Sequence, residues 1–316
     1  GPMDAEGTAV VRNIPLSFSI SVGQIVQERT LPFNITANII PGNVKTGFNG
    51  FISNIQEDPQ IKGVFTTNGG KFDKFLSAIG GNTQLPLIFS KPFSANAKIA
   101  LNLNKLEVKD LAFQFEETKG SGSADVTFGS NSDTNIKLSL KNLDLDRLLK
   151  ISPNLPQIAK DKDLKKTENT NNPKLDPTDF FTKQTQKLGL LSLPESMNAS
   201  LNLFVEAITY QNASIRNVKL DASVANKEIT LSQFSALLPG NSELALFGFV
   251  TQQNEGPAFD GAVDLTTNNL RGFLKSLNIT TPNVSEKQFQ SFNLSSNKLN
   301  NFMFPISIFK SDFFIF

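Results

Sequence analysis

The sequence contains no cysteine and no histidine. Disulfides, thiolate nucleophiles and thiolate metal sites are thereby excluded, as are imidazole acid–base chemistry and zinc sites built on His and Cys. Tryptophan is absent and tyrosine occurs once, so the aromatic surface carries almost no hydrogen-bonding groups. Neither sign of charge dominates, because 30 basic and 29 acidic side chains leave a formal net charge of +1. No long-range field therefore favours nucleic acid or an anionic membrane over other partners. Apolar runs of about 18 residues are missing too, so no segment reads as a membrane-spanning helix.

What is present is phenylalanine, 28 of them, in a chain of 316 residues that is 39% hydrophobic. That suffices for one large all-β domain or two smaller ones. The surplus of Phe, accompanied by many Asn and Lys, reflects either a general compositional bias or a surface that needs large apolar groups without polar atoms. Gly1-Pro2-Met3 reads as the remnant of a cleaved tag in front of an internal or engineered start, compatible with removal of the natural amino terminus and of a signal or anchor with it.

The stretch 240–277 organises the rest. Leu244, Leu246, Gly248 and Val250 alternate with Glu243, Ala245, Phe247 and Phe249, the period of a strand. A turn is predicted over 252–257, then a second strand through Phe259, Gly261, Val263 and Leu265. From there Leu270, Phe273, Leu274 and Leu277 follow helical spacing, with Asn268 or Asn269 placed to cap. The same hairpin-plus-helix register recurs at Gly63, Phe65 and Thr67 before Phe72, Phe75, Leu76 and Ile79, the helix closing at Gly80-Gly81. It recurs again at Ile136, Leu138 and Leu140 before Leu145, Leu148 and Leu149.

In chain order, strands are predicted over 14–27 and 31–40, and a hairpin over 44–52 and 60–67. Between 86 and 128, Ala95, Ala97, Ile99, Leu101 and Leu103 alternate with Asn96, Lys98, Ala100, Asn102 and Asn104, and Val108, Leu111, Phe113 and Phe115 begin another strand. Residues 153–175, with KDKDLKKTENTNN at their centre, read as a flexible linker or long loop between an amino-terminal segment, 4–152, and a second segment, 176–316. Asp176-Pro177 starts a helix to about Leu188. Strands follow through Ala199, Leu201, Leu203 and Val205, then through Ile215, Val218, Leu220 and Ala222 with a bulge between 215 and 218, Tyr210 lying in the turn between them. Ile229, Leu231, Phe234 and Ala236 pair across a turn at Ala225-Asn226-Lys227. Residues 302–316 end on aromatics that either belong to a larger domain or pair with an open sheet edge.

Candidate chemistry is sparse. Glu116-Glu117 are adjacent and expected on opposite faces of a strand, and Asp144 is expected to cap a helix beginning at Leu145. Gly120-Ser-Gly-Ser reads as a hairpin turn rather than a phosphate loop, and Lys45-Thr46 lacks the Walker spacing. No catalytic, metal or cofactor site is assigned; an enzyme is not expected.

At least ten amphipathic strands with few helices leave apolar faces to be covered. Two sheets can cover each other as a closed scaffold; alternatively one sheet curls into a trough whose inner face takes acyl chains, at roughly 0.8 kcal/mol per methylene. In the amino-terminal segment the candidate lining is Ile35, Ile39, Phe65, Ile99, Leu101, Leu103, Phe113, Phe115 and Leu138. In the second segment it is Leu201, Leu203, Val205, Val218, Leu220, Leu244, Leu246, Val250 and Val263.

Residues 200–277 resemble the AsmA family of bacterial envelope proteins, which includes AsmA, TamB and YhdP. The resemblance is carried by Asn217-Val218, Leu220-Asp221-Ala222, Ile229-Thr230-Leu231, Pro239-Gly240, Leu246-Phe247-Gly248, Phe259-Asp260-Gly261 and the 270–277 stretch. Asn241 stands where the family often has a second Gly, and Lys227-Glu228 replaces its usual Asn/Asp-Gly turn. Residues 31–151 resemble it more loosely. The resemblance implies a long curved antiparallel sheet forming a taco-like β-groove with short capping helices. It also implies a body in the periplasm of a Gram-negative bacterium, tethered to the inner membrane by a helix absent from this chain, with other envelope proteins as possible partners. Such a protein binds or conducts phospholipid toward the outer membrane and supports its integrity and assembly; no residue inherits a catalytic role.

Overall fold

The computed structural model describes residues 2–11, 13–25, 30–40, 42–73, 91–129, 132–147, 198–210, 213–226, 228–253, 256–276 and 292–296. The expected linker over 153–175, the helix from Asp176, the Gly80-Gly81 helix end and the aromatic stretch 302–316 lie outside these residues.

Period-two patterning builds almost everything else. β1 (Met3–Val11), β2 (Ile14–Val22) and β3 (Leu31–Ile39) open the sheet, followed by β4 (Val44–Ser53) and β5 (Gln60–Gly69). Next come β6 (Phe93–Leu101), β7 (Lys105–Phe115), β8 (Thr118–Thr127) and β9 (Asp133–Asp144). β10 (Asn198–Tyr210), β11 (Ala213–Ala225), β12 (Glu228–Leu238), β13 (Ser242–Gln253), β14 (Gly256–Thr267) and β15 (Phe292–Ser296) complete it. All fifteen form one unclosed, curved sheet in which spatial order follows chain order. Every neighbouring pair is antiparallel except β9 with β10, which run parallel, Leu138 beside Leu203. The strands before and after residues 148–197 thus share one sheet.

Because strands alternate in direction, the connections fall on two rims. The first rim holds the ends of β1, β3, β5, β7, β9, β10, β12 and β14; the second holds the ends of β2, β4, β6, β8, β11 and β13. Side chains buried to below a tenth of their surface gather toward the first rim. Ile39, Val44 and Phe93 pack with Phe72 and Phe115 there, the ring of Phe72 edge-on to Phe93 at 4.8 Å. Val205, Val218 and Ala236 form a second cluster. The third forms under α1 (Leu270–Ser276), where Phe273, Leu270 and Leu274 press on Leu265. Asn269 caps α1, its Oδ1 accepting from the Gly272 amide at 2.8 Å. Asp144 likewise accepts from Arg147 N at 2.9 Å as a helical turn starts at 145–147. Of the three hairpin-plus-helix units, the one over 240–277 is described through Ser276 except for 254–255; Phe75, Leu76, Ile79, Leu148, Leu149 and Leu277 lie outside the described residues.

Several readings of the sequence are corrected. Gly120 and Gly122 sit inside β8 rather than in a turn. A Cβ at Gly120 would come within 2.7 Å of Phe113 Cε1, so the glycine makes room for a ring on the neighbouring strand. The turn is instead Glu116-Glu117, with Glu116 in the left-handed region at φ 50°. Tyr210 ends β10, paired with Ala213. The β13–β14 hairpin is tighter than the predicted 252–257 turn, since Gln253 already pairs with Gly256. The bulge expected between 215 and 218 is present, with Asn217 at φ 51°, and a further one follows Val108, with Asp110 at φ 51°. β1 escaped the sequence reading altogether.

Candidate functional site

Cross-strand partners share a face of a sheet, so the register alone shows which side chains form one surface. A central row runs Ile20–Ile35–Phe48–Phe65–Ala97 across β2 to β6. It passes the bulge on β7 to Leu111, opposite Gly122, then continues Leu138–Leu203–Leu220–Phe234–Leu246–Val263 on β9 to β14. No polar side chain interrupts it. A flanking row holds Phe113, opposite Gly120, then Leu140, Val205 and Val218. Ile99, Leu201, Val250 and the Gly248–Gly261 pair lie on the other flank. Ile39, Phe115 and Leu244 share the face toward the first rim, while Leu101, paired with Leu106, lies at the second.

Of the predicted lining residues, Leu103 alone is displaced. Sequence alternation carries straight through Leu101 into it, but β6 stops at Leu101 and Leu103 projects from the β6–β7 turn. The reason is Asn102, whose Oδ1 accepts from the Asn104 amide at 2.9 Å and the Lys105 amide at 2.7 Å, closing an Asx turn. Sequence reasoning also left out Phe18, Ile20, Phe48 and Phe234, which lie on this face; Ile14, Leu16, Phe18, Ile20 and Val22 alternate with Pro15, Ser17, Ser19 and Ser21, a signal that was there to use.

This face is apolar but not a sealed core. Leu101, Leu138, Leu201, Leu203, Leu220 and Leu246 are only half-buried, and Ile35 keeps 38% of its surface exposed. Among the described residues no second sheet lies against it. Glycine pairs interrupt it at two places: Gly50 opposite Gly63, and Gly248 opposite Gly261. A Cβ at Gly63 would stand 2.7 Å from Gly50 Cα, and one at Gly248 only 2.6 Å from Gly261 Cα. The two backbones close on each other there, which bends the sheet. Rings flank the first crease, Phe33 stacking on Phe48 at 5.4 Å.

The opposite face carries the ion pairs and most of the polar side chains, with Phe51, Val64, Phe247 and Phe249 exposed among them. Lys105 Nζ lies 2.6 Å from Glu107 and 3.3 Å from Asp125, and Lys109 holds the other Glu107 oxygen at 2.7 Å. Hydrogen bonds from Lys105 and then Lys109 hold the Glu107 carboxyl down at about 2. Lys98 and Asp110 pair at 2.8 Å, which raises the lysine and lowers the aspartate. Asn202 bonds Asp221, and Ser200 bonds Asn135 across the parallel seam. Two shallow concavities open on this side. One, of about 740 Å³, is bordered by Ser17, Thr36, Asn38, Lys45 and Thr66; the other, of about 370 Å³, by Lys137, Ser139, Asn202 and Lys219. Their presence reflects the twist of so long a sheet, which curves in both senses along its diagonals.

Among the described residues no three of His, Cys, Asp and Glu converge as a metal site, and no helix is long and apolar enough to cross a membrane. The site with chemical character is therefore the continuous apolar face. Compared with known proteins, the chain matches no family model, no curated protein and no solved structure.

Proposed function

We propose that this chain is a non-enzymatic lipid-binding protein whose apolar face forms a groove for phospholipid acyl chains. One observation carries the reading: an uninterrupted apolar row crosses the unclosed sheet from Ile20 to Val263, and most of its side chains are only half-buried. Water on such a surface is costly, and each methylene of an acyl chain laid against it gains about 0.8 kcal/mol. Phenylalanine suits the lining because it adds area without an unsatisfied polar atom. The strands β1 to β14, of 9 to 13 residues, make the groove roughly 30–40 Å across. The thirteen strands from β2 to β14 extend it about 58 Å along the row.

The resemblance of residues 200–277 to the AsmA family supports the proposal that the groove lies in the periplasm, as the body of an inner-membrane-anchored protein passing phospholipid toward the outer membrane. Envelope proteins of either membrane are its proposed partners. A closed scaffold without lipid is the competing reading, and the lone sheet offers it no second layer among the described residues.

The test is displacement of a fluorescent phospholipid by unlabelled phospholipid. Saturable displacement is expected from the native chain, and at least about a tenfold loss of affinity from the double variant Leu138→Lys with Leu220→Lys. Native-like circular dichroism with undiminished displacement in that variant, or no lipid retained by the native chain in native mass spectrometry, overturns the reading.

A further inference from the structure

We infer that the second rim of the amino-terminal half is a membrane-docking edge that seats on an uncharged lipid surface. Four successive connections on this rim each present an exposed large apolar side chain: Ile25 after β2, Ile55 after β4, Leu103 after β6 and Phe128 after β8. Their exposures are 66%, 40%, 69% and 44%. Turns ordinarily carry Gly, Asn, Asp or Ser at such positions, so four apolar tips along one edge need a partner.

Turn chemistry holds the tips in place. Leu103 sits on the Asx turn of Asn102, which is closed further by the Asn102 amide donating to the Lys105 carbonyl at 2.9 Å. The Phe128 amide donates to the Asn104 carbonyl at 2.8 Å, tying the third tip to the fourth. Ile55 follows Asn54, whose left-handed φ of 51° turns the chain and whose carbonyl accepts from the Glu57 amide.

A bilayer fits this edge better than a protein does. Alternate connections of a sheet stand about 10 Å apart, so the tips form a comb rather than the contiguous patch a protein hot spot requires. A lipid interface asks only that each tip reach its depth. Among the described residues, the polar groups beside the tips are chiefly amides, Gln24, Asn54, Gln56, Asn102 and Asn104; Lys105 is paired with Glu107 and Asp125, and the acids Glu57 and Asp58 oppose rather than assist binding to anionic headgroups. The buried clusters and α1 lie toward the first rim, so the second rim is the side from which an acyl chain reaches the apolar face. That last role rests on the lipid-groove reading; the docking itself does not.

The chain lacks tryptophan, so Leu103→Trp supplies a single reporter. With phosphatidylcholine vesicles the indole emission is expected to shift to the blue and to be quenched by brominated acyl chains. Co-sedimentation with the same vesicles is expected to weaken at least about tenfold in the double variant Leu103→Ser with Phe128→Ser. Because both side chains are exposed, the melting temperature stays unchanged. The Leu138→Lys, Leu220→Lys variant, impaired in the groove, still sediments with vesicles. Unshifted emission on vesicles, a blue shift on self-association without lipid, or binding that requires anionic lipid and disappears in salt overturns the docking edge. A native chain that displaces the fluorescent lipid but does not sediment with vesicles overturns the edge while leaving the groove standing.

Discussion

Asparagine explains more of this fold than its bulk frequency suggests. Asn13, Asn43, Asn54, Asn226 and Asn241 take left-handed φ between 49° and 64° at turns, and Asn217 does so at a bulge. Asparagine tolerates that conformation better than other side chains with a Cβ, so the Asn-rich composition supplies turns that glycine supplies elsewhere. Asn241, where the AsmA pattern has Gly, is such a case at φ 55°. Several glycines inside strands stand where even a methyl group is too much. At Gly63 the obstacles are the Asn49 carbonyl and Gly50 Cα on the facing strand, together with Phe48 Cζ at 2.7 Å. Backbone cannot step aside without opening the crease, so Gly63→Ala is expected to cost about 1–3 kcal/mol in chemical denaturation. Gly129→Ala meets nothing within 4 Å; its φ of +116° makes it the contrasting case of strain without crowding.

Elements were legible wherever polar and apolar residues alternate strictly. The 44–52 and 60–67 hairpin, the Asn226 turn and the Asn269 cap all follow from local pattern. β1 was not legible, because Ala5, Gly7 and Ala9 are too small to register as an apolar face; Gly7 leaves room for the Phe18 ring, which a Cβ there would meet at 3.1 Å. Gly120 and Gly122 misled because their reason lies on other strands, in Phe113, Leu138 and Leu140. The parallel pairing of β9 with β10 was equally out of reach, since periodicity carries no strand direction. α1 is the element whose removal is easiest to measure. Phe273, 2% exposed, is the side chain through which it grips Leu265, and Phe273→Ala should lower stability by about 3–5 kcal/mol. Hydrogen exchange is expected to rise in β13 and β14 first, while β2 to β8 stay protected.

At the scale of the molecule, the alternation predicted which side chains share a face, but not that a single sheet would carry them all; that depends on register, set by turns and bulges one residue long. The register has a consequence for lipid. A protein that merely stores a phospholipid needs one local patch, whereas a conduit needs every step of the central row to stay apolar. Leu203 stands near the middle of that row, between Leu138 and Leu220. Leu203→Asp puts a carboxylate there and leaves both halves of the row intact. An acyl chain passing the charge must desolvate it, which costs several kcal/mol. For a conduit, the number of lipids bound should change little, while transfer between donor and acceptor vesicles falls at least about tenfold. Lys137→Asp, on the opposite face of the neighbouring strand, should leave both unchanged. Equal loss of binding and transfer in Leu203→Asp would instead mean a single storage site around β9 to β11, and loss of neither would mean that acyl chains do not follow this row.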